Sequence, residues 1–304
     1  MNYWTGFKQV DESAEPADDD LHLSQTTVSN AALCPARVGY RGDEGYSYVP
    51  SEAMSFGTMV HGMAEEDLGL LGTPMRWAAG SWTFYAVEEM WRDGLLNERD
   101  GSFDLYELAD RERINKSIME ALHANKRWHE VVAPTLDLAG RDDWQIEKRV
   151  TKQLGTLPDG RRVWFGGTAD LVVPGLALDW KTAGRGWDQS KADTTYQATY
   201  YTWLYGVDRH KYWVWNRREK DWSAFETSRS PKDVESALKV AWMLARQMAD
   251  GTFTATPWQD TFGKVKRGWW CSAKYCGAWD ICQFKNLPDD VYEGQKIDPK
   301  VGWE

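Results

Sequence analysis

The stretch GGTADLVVPGLALDWKT, residues 166–182, places two carboxylates and a lysine in an otherwise apolar segment. Asp170 lies within one apolar run, Asp179 and Lys181 end the next, and a Pro-Gly pair separates the two runs. Short apolar runs on either side of a Pro-Gly pair predict a β-hairpin. In a strand, positions 179 and 181 point to the same face, so the carboxylate and the ammonium are expected side by side.

This hairpin has two interpretations. An isolated Asp-x-Lys is most often an edge-strand salt bridge. Here, however, the turn is expected to fold Asp170 back beside Asp179, and two carboxylates held together in an apolar setting need a cation. A divalent metal with hard oxygen ligands meets that need. A lysine beside such a metal is suited to orienting or activating a water, which hydrolysis of a phosphodiester requires.

Two pairs of residues on predicted helices add to this pattern. His61 and Glu65 are four residues apart in a predicted helix over 55–71, so they share one helix face. Gln197 and Tyr201 have the same spacing directly after the Asp-x-Lys strand. Taken alone, the first pair is equally well explained as a half-buried histidine with a helical partner, and the second is better explained as ordinary helix surface.

The order of predicted elements indicates the fold class. The period of the apolar residues changes from helical to strand-like near residue 144 and alternates afterwards. We expect an α/β fold with a mixed central sheet flanked by helices. The predicted helices are 55–71, 110–132, 189–205 and a helix that starts at Pro231 and ends before Gly251, and the predicted strands are 144–154, 162–173, 176–183, 211–217 and 222–228.

Composition indicates an ordinary soluble globular protein, with 304 residues, 42% hydrophobic and 27% charged. No apolar run is long enough for a membrane span and no signal peptide is recognisable, so we expect a cytoplasmic protein with no membrane partner. The net charge of −10 argues against a polyanionic partner. Half of the excess lies in residues 1–20, which hold six acids against Lys8 and which we expect to be a flexible arm. Such an arm is either a solubilising tail or a shield over a basic groove.

Taken together, the motifs resemble a known family. The chain carries G-x-x-x-H-x-x-x-E from Gly57, then G-T-A-D ending at Asp170, D-W-K at 179–181 and Q-x-x-x-Y from Gln197. In this order, over about residues 21–283, they resemble the RecB-like branch of the PD-(D/E)XK nuclease superfamily, with its restriction-endonuclease-like core.

The resemblance implies roles for the motif residues. It implies a centre for Mg²⁺ or Mn²⁺ whose ligands are Asp170, Asp179, His61 and the Trp180 carbonyl. It implies that Lys181 is the catalytic lysine. The other motif residues are implied to support the metal shell (Glu65) and to contact DNA or brace the site (Gln197 and Tyr201). Glu147 matches an acidic position often found on the preceding strand.

Three of the four cysteines, Cys271, Cys276 and Cys282, fall within twelve residues, whereas Cys34 precedes them by 237 residues. Disulfides are disfavoured in a cytoplasmic protein, so a metal site is the better interpretation. Zinc, a [4Fe-4S] cluster and free thiols remain open on spacing alone. The pattern resembles the iron-sulfur staple of the AddB nuclease domain and of CRISPR adaptation nucleases, although the first C-terminal gap is four residues where two is more usual.

That resemblance implies a [4Fe-4S] cluster that joins the N- and C-terminal segments. The implied domain organisation is a flexible arm (1–20) and one nuclease domain (21–304), with a helical part (50–135), a catalytic core (144–250) and an iron-sulfur segment (251–283) joined by Cys34.

The implied activity is a metal-dependent deoxyribonuclease acting as an exonuclease on linear DNA in phage or bacterial recombination or repair. A single-strand annealing protein is the expected partner. A CRISPR adaptation nuclease is the close alternative. From another class, the alternative is a non-catalytic iron-sulfur module that binds DNA or carries electrons.

Overall fold

The structure is a computed structural model that describes residues 5–8, 10–11, 14–40, 52–71, 108–184, 186–252, 258–261, 264–268, 270–272 and 276–282. These residues fall into two compact units. The larger consists of Trp4–Gln25 and Pro50–Val240, and the smaller of Met1–Tyr3, Thr26–Val49 and Ala241–Glu304. None of the helices within these ranges combines the length and the apolar character needed to cross a membrane.

Four described helices follow the first strand, the later strands and helices come in short groups, and two short 3₁₀ turns precede the second strand. In chain order they are β1 (Leu21–Ser24), α1 (Gln25–Leu33), α2 (Pro35–Gly39), α3 (Glu52–Leu70), α4 (Leu108–Val131), β2 (Gln145–Thr156), β3 (Arg162–Val173), β4 (Leu176–Ala183), α5 (Gln189–Thr194), α6 (Tyr196–Tyr205), β5 (Arg209–Asn216), β6 (Asp221–Ser228), α7 (Pro231–Ala249), β7 (Trp258–Thr261) and β8 (Lys264–Arg267).

A six-stranded mixed sheet forms the centre of the larger unit. Its strands run in the order β1-β3-β4-β5-β6, and β2 also pairs with β3 outside that path. The β1–β3 and β4–β5 pairs are parallel, whereas β2–β3, β3–β4 and β5–β6 are antiparallel. The mixed α/β class predicted from the order of elements is therefore confirmed.

Helices cover both faces of this sheet. On one face, α3 and α4 pack against β4, β5 and β6 through a core rich in tryptophan. On the other face, α5 and α6 pack on β4 and β5 through a smaller cluster. The largest fully buried side chains of the first core include Trp128, Trp180 and Trp215. Most of the tryptophans described in the larger unit are buried core residues.

The hairpin that joins β3 to β4 has the predicted bounds. Gly175 takes a φ of 76° in the turn, a conformation in which glycine meets no Cβ penalty. Three rungs follow on the β3–β4 ladder, of which Leu171 opposite Leu178 is the last.

The predicted single helix over 189–205 is instead two helices, α5 and α6. Thr195 between them takes an extended conformation with ψ of 130°, and its hydroxyl accepts from the Gln197 amide as the N-cap of α6. Threonine competes with the helix for backbone donors and favours caps, which explains the break. As a consequence, Gln197 lies in the first turn of α6.

The described part of the N-terminal segment contacts the sheet, unlike a free arm. Phe7 forms a β-bridge with Gly155, and the Lys8 amide donates to the Leu154 carbonyl over 3.0 Å. Farther on, the Asp20 carboxylate accepts from the Arg162 guanidinium over 3.0 Å. Backbone pairing along the end of β2 explains this contact, which the acidic composition of residues 1–20 did not indicate.

Candidate active site

The β3–β4 ladder stops one rung before two buried carboxylates. Continuing the register beyond Leu171 and Leu178 would place Asp170 opposite Asp179, but the strands do not pair there. Instead, the Trp180 amide donates to Asp170 Oδ2 over 2.5 Å. The two aspartates are only 8% and 5% exposed. The hairpin thus brings both carboxylates together at the point where its strands diverge.

Each of these aspartates has a cationic neighbour. His61, from α3, places Nδ1 3.4 Å from Asp170 Oδ2. Lys181 forms an ion pair with Asp179 through Oδ2, and outside that pair Oδ2 accepts no hydrogen bond from a described residue. Helix α3 approaches β4 closely, because a Cβ built on Gly57 would lie 3.6 Å from the Thr182 hydroxyl oxygen.

Helix α6 contributes the Gln-x-x-x-Tyr pair. Gln197 Nε2 donates to Asp179 Oδ1 over 2.7 Å and to the Tyr201 hydroxyl oxygen over 3.2 Å. The Tyr201 hydroxyl in turn donates to the Thr168 carbonyl. The pair therefore fixes an oxygen of Asp179 and braces the strand that carries Asp170.

A glycine allows α6 to come this close. A Cβ on Gly167 would lie 2.9 Å from Tyr201 Cε1 and 3.0 Å from Leu204 Cδ1, closer than real Cβ contacts. The glycine of the Gly-Thr-Ala-Asp motif is thus required by packing against the helix that carries Gln197.

Tyr205 enters the site from the same helix, four residues beyond Tyr201. The β2–β3 register places Lys148 opposite Ala169. At this rung the Ala169 amide donates to the Tyr205 hydroxyl oxygen over 2.9 Å, and that oxygen lies 2.6 Å from the Lys148 carbonyl and 3.0 Å from the Gly167 carbonyl. A hydroxyl carries one proton, so it donates to one carbonyl at a time. Tyr205 therefore bridges the two strands next to Asp170.

Glu147 lies at the adjoining position of β2. The register on either side, Ile146 with Leu171 and Lys148 with Ala169, would place Glu147 opposite Asp170. Its backbone takes a φ of 47°, which is uncommon for a residue other than glycine. The sequence motifs assigned Glu147 no role as a metal ligand. It is the one acidic residue of β2, and its register position opposite Asp170 identifies it as part of the candidate site.

Charges in the site do not balance. The acids are Glu65, Glu147, Asp170 and Asp179, and the cations that act on them are His61 and Lys181. Full ionisation would leave an excess of two negative charges around the two buried aspartates, which is costly.

The pKa values reflect this excess. Burial and the Asp170 charge raise the pKa of Asp179 to about 6, against the pull of Lys181. Burial and the charges of Asp170 and Glu65 raise the pKa of Glu147 to about 7. Burial also raises the pKa of Glu65. Without a further cation, protons take up part of the excess charge.

Asp170 and its cationic neighbours shift the other way. Burial opposes ionisation of Asp170, but His61, Lys181 and the Trp180 amide outweigh it and lower the pKa of Asp170. Burial would lower the pKa of His61 and of Lys181, yet the two aspartates raise both. Asp170 is therefore the carboxylate that stays ionised.

A divalent cation fits the chemistry of this donor set, because it would bring two positive charges to hard oxygen ligands. As the side chains lie, however, no three His, Cys, Asp or Glu residues within the described ranges are grouped closely enough to hold a metal ion. Lys181, Gln197 and the Trp180 amide already contact the aspartate oxygens. To bind a metal, the aspartate oxygens would have to give up at least some of these contacts and coordinate the ion in their place.

The four cysteines belong to the smaller unit, and no disulfide joins any of them to another described residue. Cys34, just before α2, is buried in a cluster with Ala36 and Trp270, and Cys271 packs against that cluster. Burial raises the pKa of the Cys276 thiol, and the charges of Cys282 and Cys34 act on it in the same direction. The distant Cys34 is therefore near the C-terminal cysteines. Cysteine sulfur is the donor type that a soft metal or an iron-sulfur cluster takes.

The fold and the hairpin together define a class. A mixed sheet whose hairpin presents an aspartate on one strand and Asp-x-Lys on the next, with a helical Gln-x-x-x-Tyr over it, is the arrangement of the PD-(D/E)XK nucleases. A family model for the PD-(D/E)XK nuclease superfamily matches residues 22–283. The chain belongs to that superfamily.

Comparisons with individual proteins add little to this assignment. No curated protein matches the chain. The crystal structure of SSO0001 is 14% identical, with 90% of this chain and 91% of that chain covered and a TM-score of 0.40. A "Putative exonuclease" from Eubacterium rectale is 10% identical, with 77% and 83% covered and a TM-score of 0.44. At these TM-scores the likeness assigns neither fold nor activity.

Proposed function

We propose that the protein is a deoxyribonuclease that uses Mg²⁺ or Mn²⁺ to hydrolyse phosphodiester bonds of DNA. The observation that carries this proposal is the pair Asp170 and Asp179, buried where the β3–β4 ladder ends, with Lys181 against one of them. A plain edge salt bridge needs neither the second buried aspartate nor the excess acids beside it. Electron transfer by a non-catalytic module gives no reason for this cluster either.

Each side chain has a role in this proposal. Asp170, Asp179 and His61 would hold the metal together with the Trp180 carbonyl, and Glu65 and Glu147 would supply further negative charge beside it. The bound metal would lower the pKa of a water and stabilise charge that develops on the phosphate. Lys181 neutralises developing charge on the phosphate oxygens.

Gln197 and Tyr201 act as positioning residues in the metal-free arrangement. Gln197 directs Asp179 Oδ1, and Tyr201 holds the Thr168 carbonyl two residues before Asp170. Their second expected role is contact with DNA. The Gln197 amide could make that contact once it no longer donates to Asp179.

We further propose that the four cysteines hold a [4Fe-4S] cluster and that the nuclease works from DNA ends. The packing of Cys271 against the buried cluster that holds Cys34 supports a common site, and the charges of Cys282 and Cys34 add to the burial that raises the pKa of Cys276. The exonuclease mode, a role in recombination or repair and a single-strand annealing partner are what the resemblance to the RecB-like nucleases implies.

A labelled-DNA assay tests the activity. Purified protein is incubated with 5′- and 3′-labelled linear DNA and with covalently closed circular DNA, with Mg²⁺, with Mn²⁺ and with EDTA. We expect metal-dependent release of nucleotides from linear DNA while the circle stays intact. Cleavage of the circle would contradict the exonuclease mode, and intact linear DNA under every condition would contradict the nuclease proposal.

A further inference from the structure

Strand β2 is an edge strand of the sheet. Among the described residues its ladder partner is β3, and its other edge is paired at one end alone. There the Thr156 amide donates to the Gly6 carbonyl and the Lys8 amide to the Leu154 carbonyl, each over 3.0 Å. Over 145–152 no described strand covers that outer edge.

This open part of β2 carries three exposed cations, Lys148, Arg149 and Lys152, which we call the cationic edge. No described acid forms an ion pair with any of them. Many other cations of this unit are paired, for example Arg162 with Asp20 over 2.9 Å. Lys148 and Lys152 lie on one face of the strand and Arg149 on the other, and at an open edge both faces are accessible. In a chain of net charge −10, these three cations without a described acidic partner form a local positive surface.

The cationic edge begins at the candidate active site. Lys148 directly follows Glu147, and its carbonyl contacts the Tyr205 hydroxyl beside Asp170. From Lys148 to Lys152 the strand rises roughly 13 Å, a span that covers several phosphates of a nucleic acid strand. A strand held here would lead directly to the aspartates.

An aromatic side chain lies beside these charges. Lys152 Nζ donates to the Trp203 carbonyl over 2.9 Å and lies 6.0 Å from the centre of the Trp203 ring. Trp203 is partly exposed on α6. A cationic track combined with a partly exposed aromatic ring is the combination that binds single-stranded nucleic acid by phosphate contact and base stacking.

We propose that Lys148, Arg149 and Lys152 form a docking surface for the backbone of single-stranded DNA next to the site of cleavage. This inference rests on the proposed function, since it names the surface that delivers the substrate. Lysine on an edge strand also prevents edge-to-edge aggregation. Protection against aggregation works with charge of either sign, whereas binding of DNA requires positive charge. Reversing the charge therefore distinguishes the two functions.

Binding is measured without metal, so that it does not depend on cleavage. Fluorescence anisotropy of a labelled single-stranded oligonucleotide and of the matching duplex is recorded in EDTA over 50–200 mM salt. The test variants are the triple variant K148Q/R149Q/K152Q and the charge reversal K148E/K152E. The matched control, K116Q/R218Q/K232Q, removes the same charge from exposed positions elsewhere in the unit.

For single-stranded DNA we expect the log–log salt slope of the triple variant to fall by about 2, at about 0.7 per lost phosphate contact. Between 50 and 200 mM salt the wild type then loses about 16 times more affinity than the variant does. The charge reversal should weaken binding further and stay monomeric on size exclusion. The control should keep the wild-type slope.

Three results would overturn this inference. They are a triple variant that behaves like the control, a loss confined to the duplex, or a wild type that binds no single-stranded DNA. A wild type that binds with the expected slope yet cleaves nothing with Mn²⁺ would instead contradict the proposed nuclease and leave the docking surface supported.

Discussion

The Tyr205 hydroxyl accepts a hydrogen bond from the Ala169 amide at a rung where Ala169 and Lys148 face each other across the β2–β3 ladder. The same oxygen lies 2.6 Å from the Lys148 carbonyl, so the side chain bridges the two strands. Asp170 and Glu147 occupy the adjoining positions. Tyr205 therefore helps to aim both carboxyl groups, although it is outside the Gln-x-x-x-Tyr pair.

Replacing Tyr205 by Phe should lower kcat for DNA cleavage by about ten-fold or more while leaving KM for DNA nearly unchanged, because the ring stays and only the bridge is lost. Hydrogen exchange of the Ala169 amide in metal-free protein should accelerate, since its acceptor is gone. Tyr196→Phe, an exposed position on the same helix, is the matched control. Unchanged kcat and unchanged exchange in the Tyr205 variant would show that the bridge has no positioning role.

Gly167→Ala should destabilise the protein by about 1–3 kcal/mol, because the added methyl group meets Tyr201 and Leu204 in a packed interface. Activity should fall as well, since α6 carries Gln197. Gly69→Ala provides a control of opposite sign: a Cβ there meets nothing within 4 Å, and alanine favours the helix by up to about 1 kcal/mol. Urea unfolding of both variants measures these changes, and equal stability of the two would contradict the packing argument.

Stability without metal should depend on pH through Glu147. Its folded pKa of about 7 lies above the ordinary 4.5, so the folded state binds the proton more tightly. The contribution is fully present below about pH 4.5 and is lost as the pH rises through 7. Compared with Glu147→Gln, the wild type should therefore lose a few degrees of Tm between pH 5 and 8 in EDTA.

Addition of Mn²⁺ should restore Tm in the wild type more at pH 8 than at pH 5, because the metal replaces the protons. Parallel Tm profiles for wild type and Glu147→Gln would show that Glu147 titrates normally. The measurement is differential scanning fluorimetry across this pH range with and without the metal.

The cysteine proposal predicts a brown protein when it is purified without oxygen, with about four irons per chain. Cys276→Ser should lose iron and visible absorbance, because Cys276 lies among the other thiols. If part of the Cys276→Ser protein remains folded, its DNA cleavage measures the activity of the site in the larger unit independently of the cysteines. Stoichiometric zinc without iron in the wild type would contradict the cluster.

Local sequence signals predicted much of the fold. Short apolar runs and the Pro-Gly pair predicted the β3–β4 hairpin with its observed bounds, because a strand that is buried on both faces is apolar at consecutive positions. The break at Thr195 was not predicted, since a threonine inside a helical pattern reads equally well as helix surface.

The short motifs predicted which of their residues lie together: His61, Asp170, Asp179, Lys181, Gln197 and Tyr201 are in contact in the candidate site. The positive φ of Glu147 and the bridging hydroxyl of Tyr205 depend on tertiary neighbours, so the spacing of residues in the sequence does not predict them. The contact of the N-terminal segment with β2 uses backbone groups, which composition does not report.

The most direct test of the central claim compares wild type with Asp179→Asn and Lys181→Met on 5′-labelled linear DNA with Mn²⁺. Both substitutions nearly preserve side-chain size while removing the charge, and circular dichroism and metal-free DNA anisotropy serve as controls for folding and binding. We expect the wild type to cleave the DNA and the cleavage rate of both variants to be lower by at least about 100-fold, with folding and DNA binding retained. Cleavage at the wild-type rate by both variants would contradict it.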